Sequence, residues 1–251
     1  MTPVSVCLLT HNSLRTLEPC LRPALVVADE MVVVDSGSGD GTLEVLKQHG
    51  VQPIHRPYKT HADQMNFAID QARHDWVLCL DSDEFLDEEC VAAILALKAR
   101  LSDPGVGYRL QRHWRVLGQE VRAIYPVSSP DRPIRLFNRK KTRFNDQPVD
   151  DKAVGYSRKE VIPGKVIHDT FFNVNEVFTK LNGYTARLVQ LKEVQPSLLR
   201  ACLSPLPAFL KWYLRKGAWR DGSVGVVTAV YAALYSFLKY FRAWCKARNL
   251  P

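Results

Sequence analysis

This 251-residue chain has no C-x-x-C pair and no zinc-like spacing among its six cysteines (Cys7, Cys20, Cys79, Cys90, Cys202, Cys245). Several sit in apolar strand-like runs, which predicts buried thiols in a reducing compartment and argues against a disulfide framework. Internal repeats and low-complexity tracts are missing as well. The first ten residues have no basic stretch and are too short and β-branched for a signal h-region, so no secretory leader is expected there. Residues 224–238 are fifteen mostly apolar residues, short of the roughly 20 that span a bilayer. Acidic residues thin out after residue 100: 26 Lys/Arg stand against 11 Asp/Glu there, whereas residues 1–100 carry 8 against 15. A basic second half suits an anionic partner such as a phosphorylated glycan, an acidic lipid surface or nucleic acid.

What is present is ordinary for a globular chain, with 46% hydrophobic and 24% charged residues. The length allows one large domain, or one domain with an appendage, and a core that needs no crosslink. The first hundred residues alternate apolar runs with helical patterns. Strands are expected at Val4–Thr10, Glu30–Asp35, 51–55 and 76–80. Helices are expected at 13–21, 42–49, 62–73 and 88–101, the last capped by Asp87. Such βαβ units imply a parallel sheet covered on both faces, with ligands beyond the carboxyl ends of the strands. Residues 106–170, rich in proline and in Arg/aromatic alternation, read as antiparallel or irregular β structure added to the same sheet. Residues 174–194, 197–216 and 223–248 read as helices.

Three polar clusters follow the strands: Thr10-His11-Asn12, Asp35-Ser36-Gly37 and Asp81-Ser82-Asp83. Two carboxylates two positions apart at a strand end can share one Mg²⁺ or Mn²⁺ whose other sites go to phosphate and water. The glycines of Asp35-Ser36-Gly37-Ser38-Gly39-Asp40-Gly41-Thr42 let backbone approach a ligand, and Asp35 is placed to accept from a base or ribose. The spacing is G-x-G-x-G after the second strand, which does not match the dinucleotide fingerprint.

Residues 4–12, 33–42, 62–66 and 76–84 resemble the successive motifs of family 2 glycosyltransferases of the GT-A fold. The resemblance is closer to the lipopolysaccharide core subgroup and runs through Arg135-Leu136-Phe137 and Val149-Asp150-Asp151 to His168. It implies a GT-A-like, Rossmann-type mixed α/β sheet flanked by helices, with a C-terminal helical extension. The glycosyltransferase domain would be residues 1–172, with a nucleotide-sugar half at 1–101 and an acceptor and catalytic half at 102–172, and the extension 173–251. The activity implied is inverting, metal-dependent hexosyl transfer, with UDP-glucose the expected donor and a lipopolysaccharide core or related glycan or glycolipid the acceptor.

The resemblance also distributes roles. Thr10 and Asp35 match base-binding positions, and Asn12, Gln64, Asn66, Asp81 and Ser82 lie in the donor-facing motifs. The basic residue that commonly precedes the asparagine of the third motif is here Met65. Asp83 matches the metal-ligating aspartate and His168 a downstream histidine that approaches metal or diphosphate. Asp151 ends the segment similar to the catalytic-base motif, with Asp150 its rival. Arg132 and Arg135 suit acceptor or donor phosphates, arginine being built for bidentate phosphate recognition.

Aromatic and basic residues decorate 223–248, which fits an interfacial helix on the inner face of the cytoplasmic membrane. A packing helix or a homo-oligomer interface is the competing reading of that segment. Two other functions compete for the whole chain. A sugar nucleotidylyltransferase would need a Gly-rich basic loop after the first strand, and Thr10-His11-Asn12-Ser13 is not one. A nucleic-acid-binding module would leave the acidic strand ends unexplained, since carboxylates repel phosphates; no nucleic-acid partner is expected.

Overall fold

A computed structural model describes residues 1–147 and 151–250. The chain forms two compact units: residues 1–112 with 132–168, and residues 113–131 with 169–251. Residues 113–131 thus pack with the C-terminal helices, ahead of the 173–251 extension read from the sequence.

The first unit opens with β1 (Val4–Thr10), α1 (Leu14–Val27), β2 (Glu30–Asp35), α2 (Thr42–Gln48), β3 (Ile54–His55) and α3 (His61–Gln71). It continues through β4 (Trp76–Asp81), β5 (Glu84–Leu86) and α4 (Glu88–Lys98). The chain then runs through β6 (Val106–Arg109), β7 (Arg112–Val116), β8 (Gln119–Glu120), β9 (Ala123–Ile124), β10 (Val127–Ser128) and β11 (Ile134–Asn138), of which β8 to β10 and most of β7 belong to the second unit. Next come β12 (Arg143–Phe144), β13 (Ala153–Val154), β14 (Arg158–Val161) and β15 (Val166–Phe171).

Seven strands make the central sheet in the order β14-β6-β11-β4-β1-β2-β3. β4, β1, β2 and β3 run parallel, while β11 is antiparallel to both β4 and β6. This is the mixed α/β sheet expected of the GT-A type. β1 is apolar at nearly every position because both of its faces are covered. Val4, Val6 and Leu8 pack with α1 and α4 in one core, and Cys7 packs with Ala62, Met65 and Ile69 of α3 in another. Full burial of one such leucine is worth about 1.5–3 kcal/mol. Four thiols, Cys7, Cys20, Cys79 and Cys90, are buried as expected, whereas Cys202 is exposed and Cys245 intermediate.

Element boundaries follow local chemistry. Asp87 caps α4 by accepting from the Cys90 N–H at 2.8 Å, and Thr60 caps α3 by accepting from the Asp63 N–H at 3.1 Å. The third strand shrinks from the expected 51–55 to two residues, since Val51 is taken into the core beside α2.

In the second unit, the β7–β8 hairpin turns on Leu117 and Gly118 with φ of +48° and +80°, the pair of positive values that a type I′ turn requires. Four helices follow: α5 (Val174–Leu191), α6 (Leu198–Leu203), α7 (Pro205–Leu210) and α8 (Gly222–Lys246). A π-turn at Lys211–Arg215 and a 3₁₀ turn at Ala218–Asp221 join α7 to α8. Helix α8 is the hub against which α5, α6 and α7 pack. The buried Asp221 accepts from the Arg122 backbone N–H and guanidinium, both at 2.7 Å.

Candidate active site

Strand register brings the acidic ends together. Thr10 of β1 lies beside Asp35 of β2, and Leu9 beside Asp81 of β4, so three polar groups share one carboxyl edge. On the β2 side the polar atoms are spent on the loop itself. Asp35 Oδ2 accepts from the hydroxyls of Thr10 (2.8 Å) and Ser38 (2.6 Å), and Oδ1 from the N–H groups of Gly37 (2.9 Å) and Ser38 (2.8 Å). A carboxylate offers about four acceptor positions, and all four are used. Burial pushes the Asp35 carboxyl up, but the bonds from Ser38, Thr10 and Gly37 outweigh it and hold the group below its ordinary value.

Asn12 is also engaged with that loop. Its N–H donates to Ser38 Oγ at 2.8 Å, and its Oδ1 accepts from the Gly39 N–H at 2.9 Å. Gly37, at φ +96°, permits the turn. Ser13 and Ser82 bond through their hydroxyls at 2.7 Å and tie this loop to the turn after β4.

Gln64 is fully buried: its amide donates to Ser36 Oγ (3.0 Å) and the Arg56 carbonyl (2.8 Å), and its oxygen accepts from Arg56 (2.6 Å). Asn66 clamps the Phe144 backbone from both sides, donating to its carbonyl at 2.8 Å and accepting from its N–H at 3.0 Å. Both side chains thus fix elements around the site.

The turn after β4 anchors a chain of alternating charge. Asp81 Oδ2 accepts from Arg135 at 2.7 Å, and the same Arg135 nitrogen reaches Glu84 at 2.6 Å. Arg112 adds a second contact to Glu84 at 2.7 Å. Asp81 Oδ1 meets His61 Nε2 at 2.9 Å, and His61 Nδ1 meets Asp151 at 2.7 Å. With both ring nitrogens on carboxylates, the imidazole has two acceptors to serve and is best satisfied as a cation.

His61 was not among the sequence-derived candidates. The signal for it was faint: a polar run opening a helix after a short strand. A cation in the first turn of a helix opposes the macrodipole, so its placement there makes sense only with the two carboxylates. Burial works against the charged imidazole, yet the Asp81 charge and the hydrogen bond donated to Asp151 push its pKa up to about 10. For Asp81, burial raises the value, but the charges of His61 and Arg135 dominate and hold it well below the usual carboxylate range.

A raised folded-state value means the His61 bridge contributes fully below the unfolded value of about 6.5 and is lost as pH rises through about 10. A ¹³C-labelled histidine NMR titration should therefore show no His61 inflection between about pH 5 and 8. An inflection near the unperturbed value would contradict the bridge.

The antiparallel pairing of β15 with β5 sets His168 opposite Glu84, one residue past Asp83. His168 Nε2 lies 3.2 Å from Asp83 Oδ1, and both side chains are mostly buried. Asp81 is engaged by His61 and Arg135, so its two oxygens are not offered to a metal in this arrangement. Among the described residues no three His, Cys, Asp or Glu side chains converge as a self-sufficient metal cage. The Asp83–His168 pair is instead an O/N donor set of the size that suits a cation shared with substrate phosphates.

Of the two candidate bases, Asp151 is brought to His61 and Asp150 lies outside the described residues. The two arginines expected at phosphate part company. Arg132 is exposed, while Arg135 is 4% exposed and committed to Asp81 and Glu84.

A mixed sheet with an acidic turn at the carboxyl end of its middle strand, and a second carboxylate held nearby, is the arrangement expected of the GT-A type. Residues 5–156 match the model of glycosyl transferase family 2, and the chain belongs to that family. Its relatives include the lipopolysaccharide core biosynthesis glycosyltransferase LpsC of Rhizobium meliloti, 29% identical over 98% of this chain and 95% of that protein. An uncharacterized glycosyltransferase of Rickettsia prowazekii is 25% identical over 95% of this chain and 86% of its own length. Among solved structures, S. aureus TarS 1–349 in complex with UDP-GlcNAc is similar, with a TM-score of 0.49 and 14% identity over 99% of this chain and 92% of that one.

Proposed function

We propose that this family 2 enzyme moves a hexose, with glucose the first candidate, from a UDP-linked donor to a lipopolysaccharide core or related glycan, with inversion at the anomeric carbon. The carrying observation is the carboxyl edge itself: Thr10, Asp35 and Asp81 on adjacent strands, Asp83 beside His168, and Asp151 held through His61. The name of the Rhizobium relative supports the acceptor class.

In this reading the donor lies along Thr10, Ser82 and the backbone of residues 36–39. Asn12, Asp35, Gln64, Asn66 and Asp81 hold those contacts in place. Asp83 and His168 would hold Mg²⁺ or Mn²⁺. A divalent cation there would offset the charge that develops on the departing diphosphate.

Asp151 takes the acceptor hydroxyl proton at Oδ1 while Oδ2 stays on His61. The acceptor oxygen bonds to the anomeric carbon from the face opposite the diphosphate. The bond to the phosphate oxygen breaks, and its electron pair leaves with the nucleoside diphosphate. General-base assistance of this kind is worth about 10²–10⁴-fold. Arg132, which is exposed, would meet a phosphate on the acceptor. The enzyme would work in the cytoplasm at the inner face of the cytoplasmic membrane, where a lipid-held acceptor is met.

A thermal-shift panel of nucleotides and nucleotide sugars, with and without Mn²⁺, tests the proposal. Ligand at a hundredfold excess over Kd adds about 2.7 kcal/mol. UDP and UDP-glucose should stabilise the chain more with Mn²⁺, and Asp83→Asn should lose only the metal-dependent part. Salt-sensitive stabilisation by RNA or DNA, with none by UDP, would point instead to a nucleic-acid-binding module.

A further inference from the structure

The chain from residue 194 to 220 contains no Asp or Glu and five cations: Arg200, Lys211, Arg215, Lys216 and Arg220, all exposed. It also carries the largest group of exposed leucines in the second unit. Leu199, Leu203, Leu206, Leu210 and Leu214 are between 44% and 69% exposed. Their spacing of four, three, four and four residues is that of one helical face, carried here across α6, α7 and the π-turn. Arg200, Lys211 and Arg215 follow along one flank of the same stripe.

The opposite side is already occupied. Ala201 and Trp212 are buried, and Ser204 bonds to Ser236 of α8 at 2.8 Å. The leucine face is therefore turned away from the helical core, and folding of the unit does not cover it. Trp219, 51% exposed, lies under the Arg220 guanidinium at 5.1 Å and extends the same chemistry.

We propose that the outer face of α6, α7 and the π-turn is the surface that docks on a membrane rich in anionic lipid. Its leucines enter the acyl boundary and its cations meet the headgroups. An apolar face flanked by cations, in a segment without Asp or Glu, complements an anionic lipid surface. Five exposed leucines without a partner would otherwise form a large apolar patch. The placement differs from the 223–248 segment that the sequence suggests. Helix α8 is long and apolar enough to cross a membrane by length and composition, but one side of it is taken by α5, α6 and α7. The assignment rests on the reading that the acceptor is met at a membrane, yet binding and sugar transfer are read separately below.

The test is flotation of the purified full chain with phosphatidylglycerol and with phosphatidylcholine vesicles, alongside transfer to a soluble acceptor. The chain should float with phosphatidylglycerol and be released by high salt, as screened charge requires. The triple change Lys211→Gln, Arg215→Gln, Lys216→Gln should weaken that binding on the order of a hundredfold. The change Leu199→Gln, Leu203→Gln, Leu206→Gln should abolish it, with circular dichroism reporting that the helices remain. Val226→Gln with Val230→Gln on α8 should bind as the parent does. No flotation of the parent, or flotation indifferent to salt and to all these changes, overturns the proposal. A leucine-dependent dimer in light scattering, with no vesicle binding, would also overturn it and give the stripe to a second copy. Soluble-acceptor transfer that persists in the stripe variants separates failure of docking from failure of the enzymatic reading.

Discussion

Asp151→Asn is expected to lower kcat by about 10²–10⁴-fold, the range that a positioned general base supplies. Donor binding should hold within about twofold, because the lost interaction belongs to the transition state. Asparagine is nearly isosteric, and its carbonyl oxygen can still accept from His61 Nδ1, so the local structure keeps its tie to α3. Steady-state kinetics with UDP release as the readout, paired with calorimetric titration of UDP, separate the two effects. Loss of binding together with turnover would mean that Asp151 shapes the donor site. Full activity in the variant would pass the base role to Asp150.

The second large effect concerns folding. Arg135→Met removes a guanidinium that touches both Asp81 and Glu84, at 2.7 and 2.6 Å. Glu84 is 1% exposed and Arg135 4%. Breaking a buried pair by removing one partner costs about 3–5 kcal/mol, since the remaining charge cannot be hydrated. Arg112 stays on Glu84 and His61 on Asp81, so a value near about 3 kcal/mol is expected. Urea denaturation should register it as a lower midpoint with the same slope. A loss below about 1 kcal/mol, typical of an exposed pair, would show that water reaches the network. The wild-type contribution of Asp81 is present at neutral pH and lost as pH falls through its depressed value.

The sheet was legible where packing decided everything. β1, β2 and β4 are continuous apolar runs because helices cover both faces, and their polar last residues announced the carboxyl edge. Asp87 announced α4, since a cap acts through its own side chain and the next turn. The region 106–170 was legible only as β structure of some kind. Its strands pair antiparallel with partners far away in sequence, as His168 does with Glu84, and no local pattern encodes such a register.

Site residues divide along the same line. Asp81, Asp83 and His168 could be named from motif position. What each one does depends on long-range partners: Arg135 looked like a phosphate ligand and is instead the buried counter-charge of the acidic turn. His61 escaped notice because a lone histidine opening a helix has no periodic signature, and its meaning comes from Asp81 and Asp151, 20 and 90 residues away. In the second unit, Pro205 and Pro207 break the backbone pattern, yet the leucine stripe persists across the break and shows its unpaired side only in three dimensions.

One measurement bears most directly on the arrangement of donor and base. Crystals grown with UDP and Mn²⁺ should show an anomalous peak between Asp83 and His168, with the diphosphate on its open side and Asp151 still joined to His61. A peak elsewhere, or a uridine bound away from the ends of β1, β2 and β4, would contradict the account.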